Sequence, residues 1–146
     1  MKEILFYGEE TPDVTPKGEY KEVRNQRMMY ELLEGVWSAE TCAPRYRSQW
    51  SQNNNTVGQC SITAFLVQDV FGGKVYGVPL PEGGYHCYNE VDGVVFDLTS
   101  RQFGGRVLVY DLKNEQKREE HFRVEEKYDR YLQLRSGFRK KLGLSC

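Results

Sequence analysis

The sequence predicts an α+β domain in which a central buried helix packs on an antiparallel sheet. Three observations support this prediction. The stretch that begins near Cys60 is apolar on most of a helical circumference, which is typical of a buried helix. After Gly72 and Gly73 the apolar period changes from that of a helix to that of a strand. An Asp92-Gly93 pair between two strand-like segments then indicates a tight hairpin turn.

Length and charge narrow the possible classes of protein. A chain of 146 residues fits a single domain that can bury its own core. The net charge is −1, from 20 basic and 21 acidic residues, which argues against a nucleic-acid partner. No apolar run is long enough for a membrane span, and the first ten residues lack the apolar region of a signal peptide. We therefore expect a cytoplasmic protein with no membrane or nucleic-acid partner, and the oligomeric state stays open.

The four cysteines are expected to be free thiols, because the cytoplasm keeps thiols reduced. They are Cys42, Cys60, Cys87 and Cys146. Their spacing matches no common zinc motif, so the sequence predicts neither a metal site nor a cofactor.

Changes in composition divide the chain into an arm and a domain. Residues 1–21 are rich in Pro, Gly and acidic residues, and we predict a loose N-terminal arm. Residues 22–146 form the predicted single domain, which opens with a helix over about 22–36. A long segment without a clean period follows, and loops of that length are often functional.

The remaining predicted elements complete the α+β arrangement. Thr56 is the predicted N-cap of the central helix, and Gly72-Gly73 is its predicted end. Helical spacing of apolar residues over about 124–142 predicts a C-terminal helix. Period-two segments predict four strands, at 74–80, 85–91, 94–99 and 106–112.

The hairpin register brings two polar residues together. A two-residue turn at positions 92–93 makes Val91 face Val94, and side chains then alternate between the two faces of each strand. His86 and Asp97 become diagonal neighbours on one face, within reach of each other. An imidazole held by a carboxylate is the base and the orienting group of a catalytic triad.

Cys60 is the predicted nucleophile of this triad. It lies at the start of the central helix, where the helix dipole favours a thiolate over a thiol. A nearby imidazolium lowers the pKa of a thiol further, and free N–H groups in the first turn can bind an oxyanion. Taken singly, the three residues have ordinary interpretations: a core thiol, a strand histidine and a turn-capping aspartate. Their combination favours the triad Cys60, His86 and Asp97.

Three other residues compete for these roles and are assigned elsewhere. Cys87 is expected to point to the apolar face of the hairpin as a core thiol, and Cys42 lies in the long loop. His121 stands among charged residues and is expected on the surface.

The residues that contact a substrate are harder to choose. Several amides precede Cys60, and the sequence alone does not select among them. Gln59 is preferred as a polar group near the site, although an ordinary bond to the loop explains it equally well. Trp50 and Tyr88 are further candidates for the wall of a substrate pocket, although tryptophans more often pack a loop on a core.

Four segments resemble the YunG-like family of small bacterial proteins. The resemblance covers roughly residues 29–138 and implies no particular substrate. More distantly, Cys60, His86 and Asp97 and the order of their elements resemble the papain-like and transglutaminase-like cysteine superfamily, which implies a core of that type. The family segments are WSAET at 37–41, SQWSQNNNTVGQCSITAFLVQDVFGG at 48–73, HCYNEVDGVVFDLTSRQF at 86–103 and KYDRYLQLRSGF at 127–138.

The sequence thus leads to three functional hypotheses. In the first, the protein is a cysteine-dependent hydrolase or acyl transferase that acts on an amide or thioester through Cys60, His86 and Asp97. In the second, the same fold is a non-catalytic module that binds a small molecule or a peptide. In the third, the N-terminal arm pairs with a protein partner.

Overall fold

The computed structural model describes residues 4–104, 106 and 108–145. Short 3-10 helices at Gly18–Tyr20, Pro44–Gln49 and Ser100–Phe103 connect the longer elements. The protein is a mixed α+β structure, as predicted. Its helices and strands are α1 (Gln26–Glu34), α2 (Cys60–Phe71), β1 (Lys74–Pro79), β2 (Tyr85–Val91), β3 (Val94–Phe96), α3 (Arg118–His121) and α4 (Glu125–Lys141).

Helix α2 is the centre of the core. Eight of its 12 residues are buried, because β1, β2 and α4 all pack against it. Its last turn ends at Gly72 and Gly73, whose φ angles of 81° and 77° suit glycine, so the predicted end is confirmed. The predicted N-cap is wrong. Gln59 occupies the cap position without a side-chain bond to the helix, and the buried Thr56 hydroxyl has no partner among the described residues.

The sheet has three antiparallel strands in the order β1-β2-β3. Strand β3 ends at Phe96 and not at residue 99, because the chain turns after Asp97: the Ser100 N–H donates to the Asp97 carbonyl at 3.3 Å and the Thr99 N–H to the Asp97 carboxylate at 3.1 Å. The Asp97 N–H points away from β2 and donates to the Tyr7 carbonyl at 2.9 Å. Strand β2 lies between β1 and β3. Because β3 pairs only with the last three residues of β2, the first residues of β2 are paired with β1 and with no strand on their other side.

The fourth predicted strand, at 106–112, is not formed by its described residues, 106 and 108–112. Leu112 and Asn114 both have a φ of 58°, which breaks the extended conformation. The Leu112 N–H donates to the Tyr88 hydroxyl at 2.8 Å instead of entering a ladder. Residues 105 and 107 lie outside the described part of the chain.

The N-terminal segment is packed rather than loose over residues 4–20. Phe6 and Val14 belong to the hydrophobic core, and the Lys17 N–H donates to the carbonyl of Val70 in α2. A few apolar side chains therefore hold a segment whose Pro and Gly content suggested an arm. Residues 1–3 lie outside the described residues.

The two longer flanking helices agree with the periodicity and differ at their ends. Helix α1 begins after Asn25, whose side chain accepts a hydrogen bond from the Met28 N–H, so it starts later than the predicted residue 22. Helix α4 starts and ends within one residue of its predicted bounds and packs on α2. Within the described residues, no helix has the length and apolar character required to cross a bilayer.

Candidate functional site

The hairpin between β2 and β3 has the predicted register. Val91 faces Val94 across the turn, and Asn89 faces Phe96. Asp92 and Gly93 have φ angles of 51° and 84°, as a type I′ turn requires. The position of every side chain on β2 follows from this turn.

The register brings His86 and Asp97 into direct contact. The Nε2 atom of His86 lies 2.6 Å from Oδ2 of Asp97, and both side chains are 1% exposed. On its other oxygen, Asp97 accepts hydrogen bonds from the N–H and the hydroxyl of Thr99 at 3.1 and 3.2 Å. The carboxylate is therefore held in one orientation against the ring.

Tyr110 is a member of this network that the sequence analysis missed. Its hydroxyl donates to Oδ2 of Asp97 at 2.7 Å. Burial, followed by the Asp97 charge, raises the pKa of Tyr110, so its hydroxyl stays a donor. The sequence predicted a regular strand at 106–112, whereas Tyr110 reaches Asp97 from an irregular segment. The prediction therefore gave no sign of this contact.

Cys60 is the first residue of α2 and is only partly buried. The side chains of Cys87 and His86 lie within hydrogen-bonding reach of its sulfur and affect its pKa. Because Asp97 occupies Nε2 of His86, Nδ1 is the ring nitrogen open to the sulfur, and the side-chain nitrogen of Gln102 lies 3.5 Å from the same Nδ1. The structure thus brings Cys60, His86 and Asp97 into one connected row.

The charges in this row favour a thiolate and an imidazolium. The hydrogen bond from Cys87 and the charge of His86 lower the pKa of Cys60 well below its ordinary value, against the opposing effect of burial. Burial disfavours the charged ring of His86, but the Asp97 carboxylate and the Cys60 thiolate outweigh it and raise the pKa of His86 to about 10. Both shifts act in the same direction, toward a proton on the ring and a negative charge on the sulfur.

Cys87 contributes to the site although its side chain is 1% exposed. Its hydrogen bond to Cys60, then burial, raises the pKa of Cys87, so it stays a neutral donor. The Cys87 backbone also hydrogen-bonds the Cys60 sulfur. In a hairpin closed by a two-residue turn, the N–H groups of residues 91, 89 and 87 point toward the hairpin partner, which is β3 here. Since β3 ends opposite Asn89, the Cys87 N–H is left for the sulfur.

The row opens into a pocket of about 690 Å³. Cys60 and His86 form part of its wall. The 3-10 helices at Pro44–Gln49 and Ser100–Phe103, the β1–β2 loop and the α3–α4 corner enclose the rest. The edge of the His86 ring lies against Phe103, with ring centroids 4.6 Å apart. The α2 N–H groups of the first turn lack intrahelical partners, and Ser61 of that turn lines the pocket, so an oxyanion-binding position is available beside the sulfur.

The three residues that were candidates for substrate contact do not line this pocket. The Gln59 side chain is buried and donates to the Ser38 carbonyl at 3.0 Å. The Trp50 ring N–H donates to the Asn55 carbonyl at 2.9 Å, which fixes its own loop. Tyr88 is buried among other tyrosines, and its hydroxyl accepts the Leu112 N–H. Each of these side chains is engaged in holding a loop.

His121 is half-buried and lines the pocket, contrary to the expectation of a surface residue. Its Nδ1 lies 2.9 Å from Nζ of Lys127, and its Nε2 lies 2.8 Å from Oε1 of Gln116. Burial and the nearby Lys127 charge lower the pKa of His121. The pocket therefore contains two histidines in opposite electrostatic environments. Cys42 is buried in the loop region, where burial raises the pKa of its thiol, and Cys146 lies outside the described residues.

Comparison with known proteins identifies the family. Residues 25–143 match the family model described as YunG protein. The chain belongs to the YunG family. A Bacillus subtilis (strain 168) relative, which carries the description Uncharacterized protein YunG, is 33% identical over 107 residues, or 73% of this chain and 85% of that protein.

The YunG assignment confirms the narrower of the two sequence resemblances. The match includes Cys60, His86 and Asp97 and extends a few residues beyond the predicted limits at both ends. No solved structure matches the chain. The wider resemblance to papain-like and transglutaminase-like proteins has no support from these comparisons.

Proposed function

We propose that this YunG protein is a cysteine-dependent hydrolase or acyl transferase that acts on an amide or a thioester. The observation that carries the proposal is the connected row of Cys60, His86 and Asp97 at the wall of a pocket. A thiolate at a helix start, a base and an orienting carboxylate are the groups that thiol acyl transfer needs.

Cys60, His86 and the first turn of α2 have separate roles in the proposed reaction. The Cys60 thiolate attacks the carbonyl carbon, and the N–H groups of the first α2 turn stabilise the oxyanion that forms. The bond to the leaving nitrogen or sulfur then breaks, and the His86 imidazolium gives its proton to the leaving group. The acyl group remains on Cys60 as a thioester. His86 next takes a proton from water or from an acceptor, whose attack releases the acyl product and restores the thiolate.

Asp97 and Cys87 have supporting roles in this scheme. Asp97 keeps Nδ1 of His86 directed at the sulfur and stabilises the charged ring. Cys87 donates to the resting thiolate and does not leave the core. The order of helix-start cysteine, strand histidine and following aspartate is that of papain-like and transglutaminase-like enzymes, and we extend the proposal to a mechanism of that type.

A chromogenic ester tests the proposal without knowledge of the natural substrate. With 4-nitrophenyl acetate we expect one equivalent of 4-nitrophenolate to be released in a burst, and mass spectrometry to find the acetyl group on Cys60. Cys60→Ser abolishes the burst, whereas Cys42→Ser, the matched control at a thiol outside the pocket, leaves it unchanged.

The contrary result would be acetylation of Cys60 no faster than that of a small free thiol of ordinary pKa. The non-catalytic binding module would then replace the enzyme as the function of the same pocket.

A further inference from the structure

The pocket beside Cys60 has an excess of positive charge. Four cationic side chains and two carboxylates line it in the part of the chain that the structure describes. Arg130 is paired with Glu126, so these two charges cancel. Glu82 accepts a hydrogen bond from the Tyr46 hydroxyl at 3.3 Å and leaves one negative charge. The cations without a carboxylate partner among the described residues are Arg45, Arg106 and Lys127.

Lys127 differs from the two arginines in how it is held. Arg45 and Arg106 are exposed and lie over aromatic rings, at 4.7 and 5.9 Å from the ring centroids. Lys127 is partly buried, and its ammonium group donates to Nδ1 of His121. A cation that is fixed by a neutral partner keeps its full charge for a further ligand.

A chain of hydrogen bonds fixes His121 as the neutral acceptor. Its Nε2 donates to Oε1 of Gln116, and Nε2 of Gln116 donates to the Asn114 carbonyl at 2.7 Å. The His121 ring also packs edge-on against Phe65 of α2, with centroids 5.1 Å apart. Nδ1 is therefore the only ring nitrogen left to accept, and it directs Lys127.

Lys127 lines the same pocket as the nucleophile, Cys60. His121 and Cys60 lie close enough for the thiolate charge to affect the ring, and both residues line one pocket. The Cys60 thiolate and the His86 imidazolium cancel each other, so they leave the excess charge of the pocket unchanged.

We propose that Lys127, positioned by His121, binds a carboxylate of the substrate, so that the substrate class is an acyl compound with a carboxylate close to the reacting carbonyl. This inference rests on the proposed function, because it gives the substrate of the same site. Lys127 is the binding residue and His121 is a positioning residue.

Two alkylating agents of nearly equal size test the inference. Iodoacetate and iodoacetamide react with Cys60 in the same way: the C–S bond forms as the C–I bond breaks, and iodide leaves. They differ in that only iodoacetate carries a carboxylate. The measured quantity is the ratio of the two second-order rate constants at Cys60, at a pH on the plateau of both profiles and at fixed ionic strength.

We expect Lys127→Gln to lower the ratio of iodoacetate to iodoacetamide about fivefold or more, since one nearby charge in a partly buried site contributes on that order. The iodoacetamide constant should stay within about twofold. Lys127→Arg should keep most of the ratio, and His121→Gln should lower it to a smaller extent. Lys21→Gln is the matched control, because Lys21 is exposed and lies outside the pocket lining.

Several outcomes would overturn the inference. One is a ratio that Lys127→Gln leaves unchanged. An unchanged ratio in which both constants fall equally would mean that Lys127 acts only on the thiolate. If Lys127→Gln does not fold, the wild-type ratio should still fall with added salt, because screening weakens the attraction of the carboxylate alone. A wild-type ratio that is independent of salt would then contradict the inference.

The same data separate this inference from the proposed function. Slow reaction of Cys60 with iodoacetamide, together with a ratio that depends on Lys127, would reject the activated thiol and retain the carboxylate site. Fast reaction with a ratio independent of Lys127 would do the reverse.

Discussion

Two histidines lie at the same pocket and have opposite pKa shifts. His86, on the β2–β3 hairpin, is fully buried, and its pKa is raised to about 10. His121, at the end of α3, is half-buried, and its pKa is lowered. Burial acts against the charged ring in both cases, so it cannot explain the difference between them.

The partners of the two rings explain the difference. His86 faces the carboxylate of Asp97 and the thiolate of Cys60, which both favour a positive ring. His121 faces the ammonium group of Lys127, which disfavours one. One ring is therefore a charged proton donor and the other a neutral acceptor. The comparison shows that the sign of the neighbouring charge can decide the state of a buried histidine against the effect of burial.

The largest expected effect follows from removing the charge that distinguishes His86. Asp97→Asn leaves the buried ring without its carboxylate and weakens the hydrogen bonds from Thr99 and Tyr110. We expect the free energy of unfolding to fall by about 3 kcal/mol, as for other broken buried pairs, in urea denaturation at pH 7. Asp111→Asn, at an exposed pair with Lys113, is the control and should change stability by less than about 1 kcal/mol. Equal effects of the two variants would contradict this account of Asp97.

The second prediction compares the histidines directly. His86→Ala removes the charge that stabilises the thiolate, so the alkylation of Cys60 by iodoacetamide at pH 6 should slow by about 10- to 100-fold. The lower fraction of thiolate is partly offset by the greater nucleophilicity of a thiolate with a higher pKa. His121→Gln should change this rate by less than about threefold. The comparison between the rings would be wrong if both variants slowed the reaction equally.

The third and smallest effect concerns stability against pH. His86 has a raised pKa when folded, so its contribution is complete below about pH 6.5 and is lost as the pH rises toward 10. Cys60 has a lowered pKa when folded, so its contribution is complete above about pH 8.5 and is lost as the pH falls. Between about pH 6.5 and 8.5 the two effects oppose each other in the wild type.

Cys60→Ala removes the pH-dependent contribution of the thiolate and leaves that of His86. The unfolding free energy of the variant should fall by about 1–2 kcal/mol from pH 6.5 to pH 8.5, whereas the contribution of the intact pair stays level. His121 does not interfere, because its lowered pKa places its effect below pH 6.5. The double variant Cys60→Ala, His86→Gln is the control and should lose the added slope. Parallel curves for the wild type and Cys60→Ala would reject the thiolate–imidazolium pair.

Much of the hairpin could be predicted from local sequence. The Asp92-Gly93 pair set the turn because both residues accept a positive φ, and the period of two then placed His86 and Asp97 on one face. The position of Cys60 near the start of α2 followed from the apolar period, although the predicted N-cap, Thr56, was wrong. These features depend on residues that are close in sequence.

Other features of the site depend on contacts between distant segments. On the edge of β3 that faces away from β2, the Asp97 N–H donates to the carbonyl of Tyr7, about 90 residues earlier. The N–H of Cys87 has no β3 residue opposite it and faces the sulfur of Cys60, 27 residues earlier. Tyr110 enters the network from a segment in which Leu112 leaves the extended conformation.

The sequence by itself determined the α+β class, the hairpin register and the place of Cys60 near the start of a buried helix, since turn chemistry and periodicity act within a few residues. It did not determine the residue that caps this helix. Only the tertiary structure decided the packing of residues 4–20, the role of Cys87 and the pairing of His121 with Lys127. These arise where separate segments meet in the core, and no local pattern encodes which charge or donor a buried side chain will face.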